Sequence, residues 1–204
     1  MISIVDYGLG NIQAFLNVYK RLNVEAKTAT TAADLEGATK VILPGVGAFD
    51  HAMERLEESG MRGVLDDLVL RERVPVLGVC VGMQILARAS DEGTLPGLGW
   101  IDGRVRSLDS LEAPGAVQLP HMGWNDVKPM PGNRLFEQLE SDARFYFLHS
   151  YYFECEWQDD VAAIARYGKD FSCAVNAANI YGVQFHPEKS HHFGTRLLQN
   201  FAEL

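Results

Sequence analysis

Apolar positions along the chain keep two rhythms, one suited to short buried strands and one to amphipathic helices. "ISIVDYG" opens as a β-rich run, and "NIQAFLNVYKRL" follows with Ile12, Phe15, Leu16 and Tyr19 at the i, i+3, i+4, i+7 spacing of a helix. "KVILPG" predicts a second buried strand ending at Pro44. "AFDHAMERLEESG" returns to helical spacing through Phe49, Met53 and Leu56, with Gly60 placed to end it. "VPVLGVC" predicts a third strand, and the run after Cys80 predicts a helix beginning near Gly82. The second half is richer in strands, through "VQLPHMGWNDVKP", "RFYFLHSYYFECE", "VAAIARYG", "FSCAVNAAN" and "IYGVQFHPE", before a closing helix around "GTRLLQNFAEL". No repeat or linker interrupts the pattern, so residues 1–204 are read as one domain. Strands alternating with helices predict an α/β fold: a mostly parallel central sheet flanked by helices, with additional antiparallel strands from the second half.

Composition narrows the function classes. With 47% hydrophobic residues in 204, the chain can bury a sizeable core. A formal net charge of −9, with no basic run, argues against nucleic acid, whose binding requires clustered Lys and Arg. No apolar stretch is long enough to cross a membrane, and "MISIVDYGLGNI" lacks the positive leader of a signal peptide, so the expected compartment is the cytoplasm. The 3 cysteines, Cys80, Cys155 and Cys173, form no CxxC pair and are read as free thiols.

Four stretches carry candidate chemistry. "DYGLGNIQ" starts like a dinucleotide fingerprint, but Gln13 stands where the third glycine belongs and no acid is placed for a ribose, so a tight turn opening a helix is the better reading. "GVCVG" has the GxCxG form of a strand-to-helix elbow that lifts Cys80 from the sheet, with helix amides aimed at the sulfur. A buried small hydrophobe is the competing reading of that thiol. "GVQFHPEKS" supplies His186 and Glu188, two apart at a strand end and so on one face, a base with its orienting acid. A metal site from His186, Glu188, His191 and His192 lacks an HExxH helix or a cysteine pair; His191 and His192 are read as solvated helix-start residues, and no metal or cofactor is expected. "LPGVGAF" leaves a strand through a glycine-rich turn, where Gly47 and, after the nucleophile, Val81 could offer amides to an oxyanion.

"LPGVGAF", "GVCVGMQ" and "GVQFHPEKS", in that order, resemble the triad-bearing class I glutamine amidotransferases. "VDYGLGNI", "PHMGWN", "YFLHSYY" and the lysine after "HPE" further resemble the glutaminase subunits of imidazole glycerol phosphate synthases, over almost the whole chain. The resemblance implies glutamine hydrolysis through a thioester on Cys80, with His186 and Glu188 as base and acid and the amides of Gly47 and Val81 as oxyanion hole. It implies contacts to glutamine from Gln84, Glu92 and the backbone at Ser150 and Tyr151. It also implies a separate (βα)8 cyclase subunit that takes the ammonia in histidine biosynthesis, docked near Asn11, Met122, Trp124, Tyr146 and Lys189. Val81 departs from the leucine more usual after the nucleophile, which touches packing rather than the backbone amide. Three alternatives stay open: a glutaminase subunit feeding anthranilate or pyridoxal phosphate synthesis, against which "PHMGWN" and "HPEKS" speak; a catalytically idle partner-holding subunit; and a free-standing cysteine hydrolase.

Overall fold

The computed structural model describes residues 1–111 and 117–204. Its first half winds strand and helix alternately: β1 (Ile2–Val5), α1 (Ile12–Arg21), β2 (Ala26–Ala29), β3 (Lys40–Gly45), α2 (Phe49–Glu58), α3 (Arg62–Asp66), β4 (Val76–Cys80) and the single turn α4 (Val81–Gln84). The second half is mostly strand: β5 (Ala89–Ser90), β6 (Gly103–Ser107), β7 (His121–Pro129), β8 (Arg144–His149), β9 (Tyr151–Cys155), β10 (Val161–Tyr167), β11 (Lys169–Ala177) and β12 (Ile180–Val183), closed by α5 (His191–Glu203). A 9-stranded sheet runs in the order β2-β1-β3-β4-β12-β11-β10-β7-β8, and a smaller sheet runs β5-β6-β9. From β2 to β12 neighbours are parallel; from β12 to β8 they are antiparallel.

The parallel half explains the unbroken apolar runs. β1 and β4 are buried at every position, as strands covered on both faces must be. α1 presents Phe15, Val18 and Tyr19 to the sheet, with Ile12 and Leu16 packed at its margin. α2 buries Phe49, Ala52, Met53 and Leu56, and its chain turns out at Gly60, φ 69°.

Several boundaries differ from the sequence reading. β3 continues to Gly45, which pairs with Cys80 across β4. β2 was not expected, because "AKTA" is half-buried at the sheet edge and carries no apolar run. The strand read from Val117 begins at His121. "RFYFLHSYYFECE" breaks at Ser150, where the chain leaves the large sheet as β8 and enters the small one as β9. The helix after Cys80 is one turn long. The carbonyls of Ile85, Leu86, Ala87 and Arg88, which a longer helix would engage internally, accept instead from the amides of Leu98, Ile101, Gly99 and Gly97. No described helix is long and apolar enough to cross a membrane.

Candidate active site

The carboxyl ends of β3, β4 and β12 lie side by side, where ligands collect in parallel sheets. Cys80 closes β4 with φ 56° and ψ −114°, a strained conformation for a residue with a side chain. What holds it is close backbone packing: a Cβ on Gly82 would fall 1.9 Å from the Leu43 carbonyl oxygen, and one on Gly78 would fall 2.5 Å from the carbonyl oxygen of Gly82. The elbow is thus pressed against β3, and Cys80 stays buried, at 5% exposure.

His186 arrives three residues beyond β12, and its amide donates to the Tyr146 carbonyl at 2.9 Å. Its Nδ1 donates to Glu188 Oε1 at 2.9 Å, which leaves Nε2 for the Cys80 sulfur, its other hydrogen-bond partner. Burial pulls the imidazole pKa down, but the hydrogen bonds and charges of Cys80 and Glu188 together outweigh it and carry it up to about 9. A protonated imidazole beside the sulfur is the state in which a thiolate is held ready. Ser190 locks the segment: its Oγ donates to the His186 carbonyl at 2.6 Å and accepts the Tyr146 amide at 3.0 Å.

A cleft of about 290 Å³ opens over the sulfur, lined by Val46, Gly47, Cys80, Val81, Gln84, Glu92, Ser150, Tyr151, His186 and Lys189 among others. Gly47, at φ 96°, needs a conformation that residues with a Cβ rarely take, so its amide direction is set by glycine itself. Glu92 reaches the cleft from the loop after β5, and its Oε2 accepts the Phe49 amide at 2.9 Å, at the start of α2. Asp50 secures that loop by accepting the amides of Thr94 and Leu95, which keeps its own carboxyl below the usual range. Gln84 points inward, donating to the Tyr151 carbonyl at 3.3 Å and to Gln184 Oε1 at 3.0 Å. The Ser150 carbonyl accepts the Leu108 amide at 2.9 Å. Both carbonyls are therefore already engaged internally, that of Ser150 by Leu108 and that of Tyr151 by Gln84 and by His149 at 2.7 Å.

The expected docking residues divide. Met122 pairs with Leu148 and Trp124 with Tyr146 across the β7–β8 ladder. Alternation puts these four on one face of the sheet's edge. Met122 is 65% exposed and Trp124 41%. Trp124 stacks on His191 at 5.2 Å, and Lys189 stands over the Tyr146 ring at 5.9 Å. Asn11 does not line the cleft; it caps α1, accepting the Ala14 amide at 3.2 Å. His191 and His192 join no group able to hold a metal, and no such group occurs among the described residues.

The opposite face of that hairpin holds residues the sequence reading passed over. His121 Nδ1 lies 2.9 Å from His149 Nε2, His149 Nδ1 lies 2.7 Å from the Tyr151 carbonyl, and Asn125 Nδ2 lies 3.2 Å from His121 Nε2. Burial holds both imidazoles low, at about 4 for His121 and about 3 for His149, so both are neutral. Tyr7, from the "DYG" turn, buries a hydroxyl without a partner among the described residues, and burial together with the charge of Cys80 raises its pKa. The readable sign was polarity out of place: Gln184 interrupts the apolar run "YGVQF" two residues before His186, hence on the same face.

The profile of glutamine amidotransferase class-I matches residues 3–204, so the chain belongs to the class I glutamine amidotransferases. Solved structures share the fold: a glutamine amidotransferase with TM-score 0.77 at 23% identity, covering 99% of this chain and 97% of that one, and a glutamine amidotransferase from Thermotoga maritima with TM-score 0.63 at 18% identity, covering 99% and 82%. Within the class, the chain belongs to the HisH glutaminase subunits of imidazole glycerol phosphate synthase, enzymes of histidine biosynthesis. It is 64% identical to the HisH protein of Bdellovibrio bacteriovorus and 55% identical to that of Leptospira borgpetersenii, over the full length of both chains in each case. It is 47% identical to a HisH 2 protein of Pseudomonas aeruginosa, again over full length.

Proposed function

We propose that Cys80, His186 and Glu188 hydrolyse L-glutamine within a single 1–204 domain, and that the ammonia passes to a separate cyclase subunit of imidazole glycerol phosphate synthase. The observation that carries the residue assignment is the strained thiol at the β4 elbow facing an imidazole that is itself oriented by a buried carboxylate. The Cys80 thiolate attacks the side-chain amide carbon, and the tetrahedral oxyanion is held by the amides of Gly47 and Val81. The His186 imidazolium gives its proton to the departing nitrogen, the C–N bond breaks, and ammonia leaves a thioester. His186, now neutral, takes a proton from water as it attacks; the C–S bond breaks, and glutamate, thiolate and imidazolium are regenerated. Glu92 faces the substrate ammonium, and Ser150 and Tyr151 bound the glutamine backbone.

Two features support a partner at the cleft mouth. Met122, Leu148, Trp124 and Tyr146 make an apolar and aromatic face on an edge hairpin, rimmed by Lys189, and an exposed face of this kind suits docking. Ammonia released into water near neutral pH is protonated and no longer nucleophilic, so a covered mouth protects it. Cys80→Ala is expected to abolish imidazole glycerol phosphate formation from glutamine in the complex while leaving formation from added ammonium salts intact. Glutamine turnover by that variant would sink the assignment.

A further inference from the structure

The Cys80 sulfur has a neighbour the mechanism above does not use. Gln184 is wholly buried, immediately beyond β12, and its Nε2 lies 3.7 Å from Cys80 Sγ. The direction of that contact is fixed from far away. The Tyr151 carbonyl can only accept, so Gln84 must present its amide nitrogen there. The same nitrogen faces Gln184, so Gln184 must turn its oxygen toward Gln84 and its N–H toward the sulfur. Tyr151 is itself held by His149: with Nδ1–H given to that carbonyl, His149 Nε2 can only accept, and His121 Nδ1–H donates to it. Asn125 then donates to His121 Nε2 while its other proton meets the Arg166 carbonyl at 2.9 Å. The two branches meet on the Tyr151 carbonyl, where the histidines and Gln84 both donate, and only the branch through Gln84 and Gln184 runs on to the sulfur.

We infer that Gln184 is a positioning residue for glutamine hydrolysis: its side-chain amide donates to the Cys80 thiolate and holds the sulfur toward the cleft, with Gln84, anchored on the Tyr151 carbonyl, fixing its direction. The inference rests on Cys80 being the nucleophile. Leu148 also offers the sulfur its carbonyl at 4.0 Å, a partner for a protonated thiol only. An N–H donor suits the anion instead, and hydrogen bonds to ionised acceptors are the stronger class. Gln184 therefore favours the reactive form in the reactive rotamer. The titratable groups that also face the sulfur, His186 and Tyr7, are unchanged by substitution at 184.

The test reads the pH dependence of iodoacetamide alkylation at Cys80, by mass spectrometry of its peptide, in the full chain and in Gln184→Met, which keeps length and loses the donor. The midpoint is expected to rise by roughly one pH unit, the size expected for a lost hydrogen bond to a charged group. In complex with the cyclase, glutamine-dependent kcat is expected to fall about tenfold with KM nearly unchanged, the pattern of an interaction that matters at the reacting atom. Gln184→Glu, of the same shape, should raise the midpoint further by placing a carboxylate against the sulfur. In the wild type, which needs no variant to fold, one ¹⁵N-labelled glutamine side-chain amide should titrate with the alkylation midpoint and cease to do so in Cys80→Ala. Unshifted midpoints, or an amide blind to the thiol, overturn the inference while leaving Cys80 as nucleophile. Wild-type protein that still hydrolyses glutamine after complete Cys80 alkylation overturns the nucleophile reading itself.

Discussion

Glu92 accepts the Phe49 amide through one oxygen and lines the cleft beside Cys80, so its replacement separates two effects of one carboxylate. Glu92→Gln keeps an acceptor for Phe49 and removes the charge proposed to face the glutamine ammonium. KM for glutamine is expected to rise about tenfold or more while kcat changes little, in steady-state assays of the complex. A KM within error of the wild type would return Glu92 to a purely structural part at the start of α2. Cys173, wholly buried in β11 with its thiol pushed up by burial, is hydrogen-bonded to no base among the described residues, and Cys173→Ser is expected to leave turnover unaffected. At this scale the sequence was most legible where residue type and spacing act together: Cys80, His186 and Glu188 could be grouped from an elbow motif and a two-residue step. Gln184 and the His121–His149 pair could not, because their meaning lies in which atoms meet across strands far apart in the chain.

The elbow between β4 and α4 is an element held by absence of side chains. With 1.9 Å between a Cβ at 82 and the Leu43 carbonyl oxygen, Gly82→Ala must push α4 away from β3, and it is expected to cost about 3 kcal/mol or more in chemical denaturation. Gly63, exposed in α3, is the contrast: a Cβ there meets nothing within 4 Å, and Gly63→Ala is expected to stabilise by about 0.5–1 kcal/mol. Equal effects at the two positions would refute the packing account. The parallel strands and long helices were readable because burial on both faces, or on one stripe, writes a period into the sequence. The short α4 was not, since its end is decided by amides of Gly97, Leu98, Gly99 and Ile101 that take the carbonyls of the four residues following it. The break at Ser150 was hidden for a related reason: both sheets accept the same aromatic pattern, and the change of sheet is a matter of partner.

For the whole molecule, pH stability follows from the neutral imidazoles. A free histidine titrates near 6.5. His121 and His149 are held at about 4 and about 3, so the unfolded chain binds protons that the native one refuses. Their contribution is complete above about pH 6.5 and is lost as pH falls toward 4 and below, at roughly 1.4 kcal/mol per pH unit for each ring. Urea melts between pH 7 and 4.5 should show this limb, flatter in His121→Phe; equal slopes would remove the account. His186, raised to about 9, acts in the opposite sense: its share is complete below about pH 6.5 and is lost as pH rises through 9. Glutamate release is expected to be low for the chain alone, to change with the proposed cyclase partner, and to rise with the partner and its substrate together. Equal release under all three conditions would favour a free-standing hydrolase.

β12 has a consequence for the order of assembly. It lies between β4 and β11, joining the parallel half of the sheet to the antiparallel half, yet it comes from residues 180–183. Its insertion brings His186 and Gln184 to the thiol, so a ribosome must add 104 residues beyond Cys80 before the thiol can meet Gln184, and two more for His186. Without β12, β4 lacks its strand partner on that side and Cys80 lacks both contacts. On the proposed mechanism, glutamine would then be spent only by molecules whose sheet has closed.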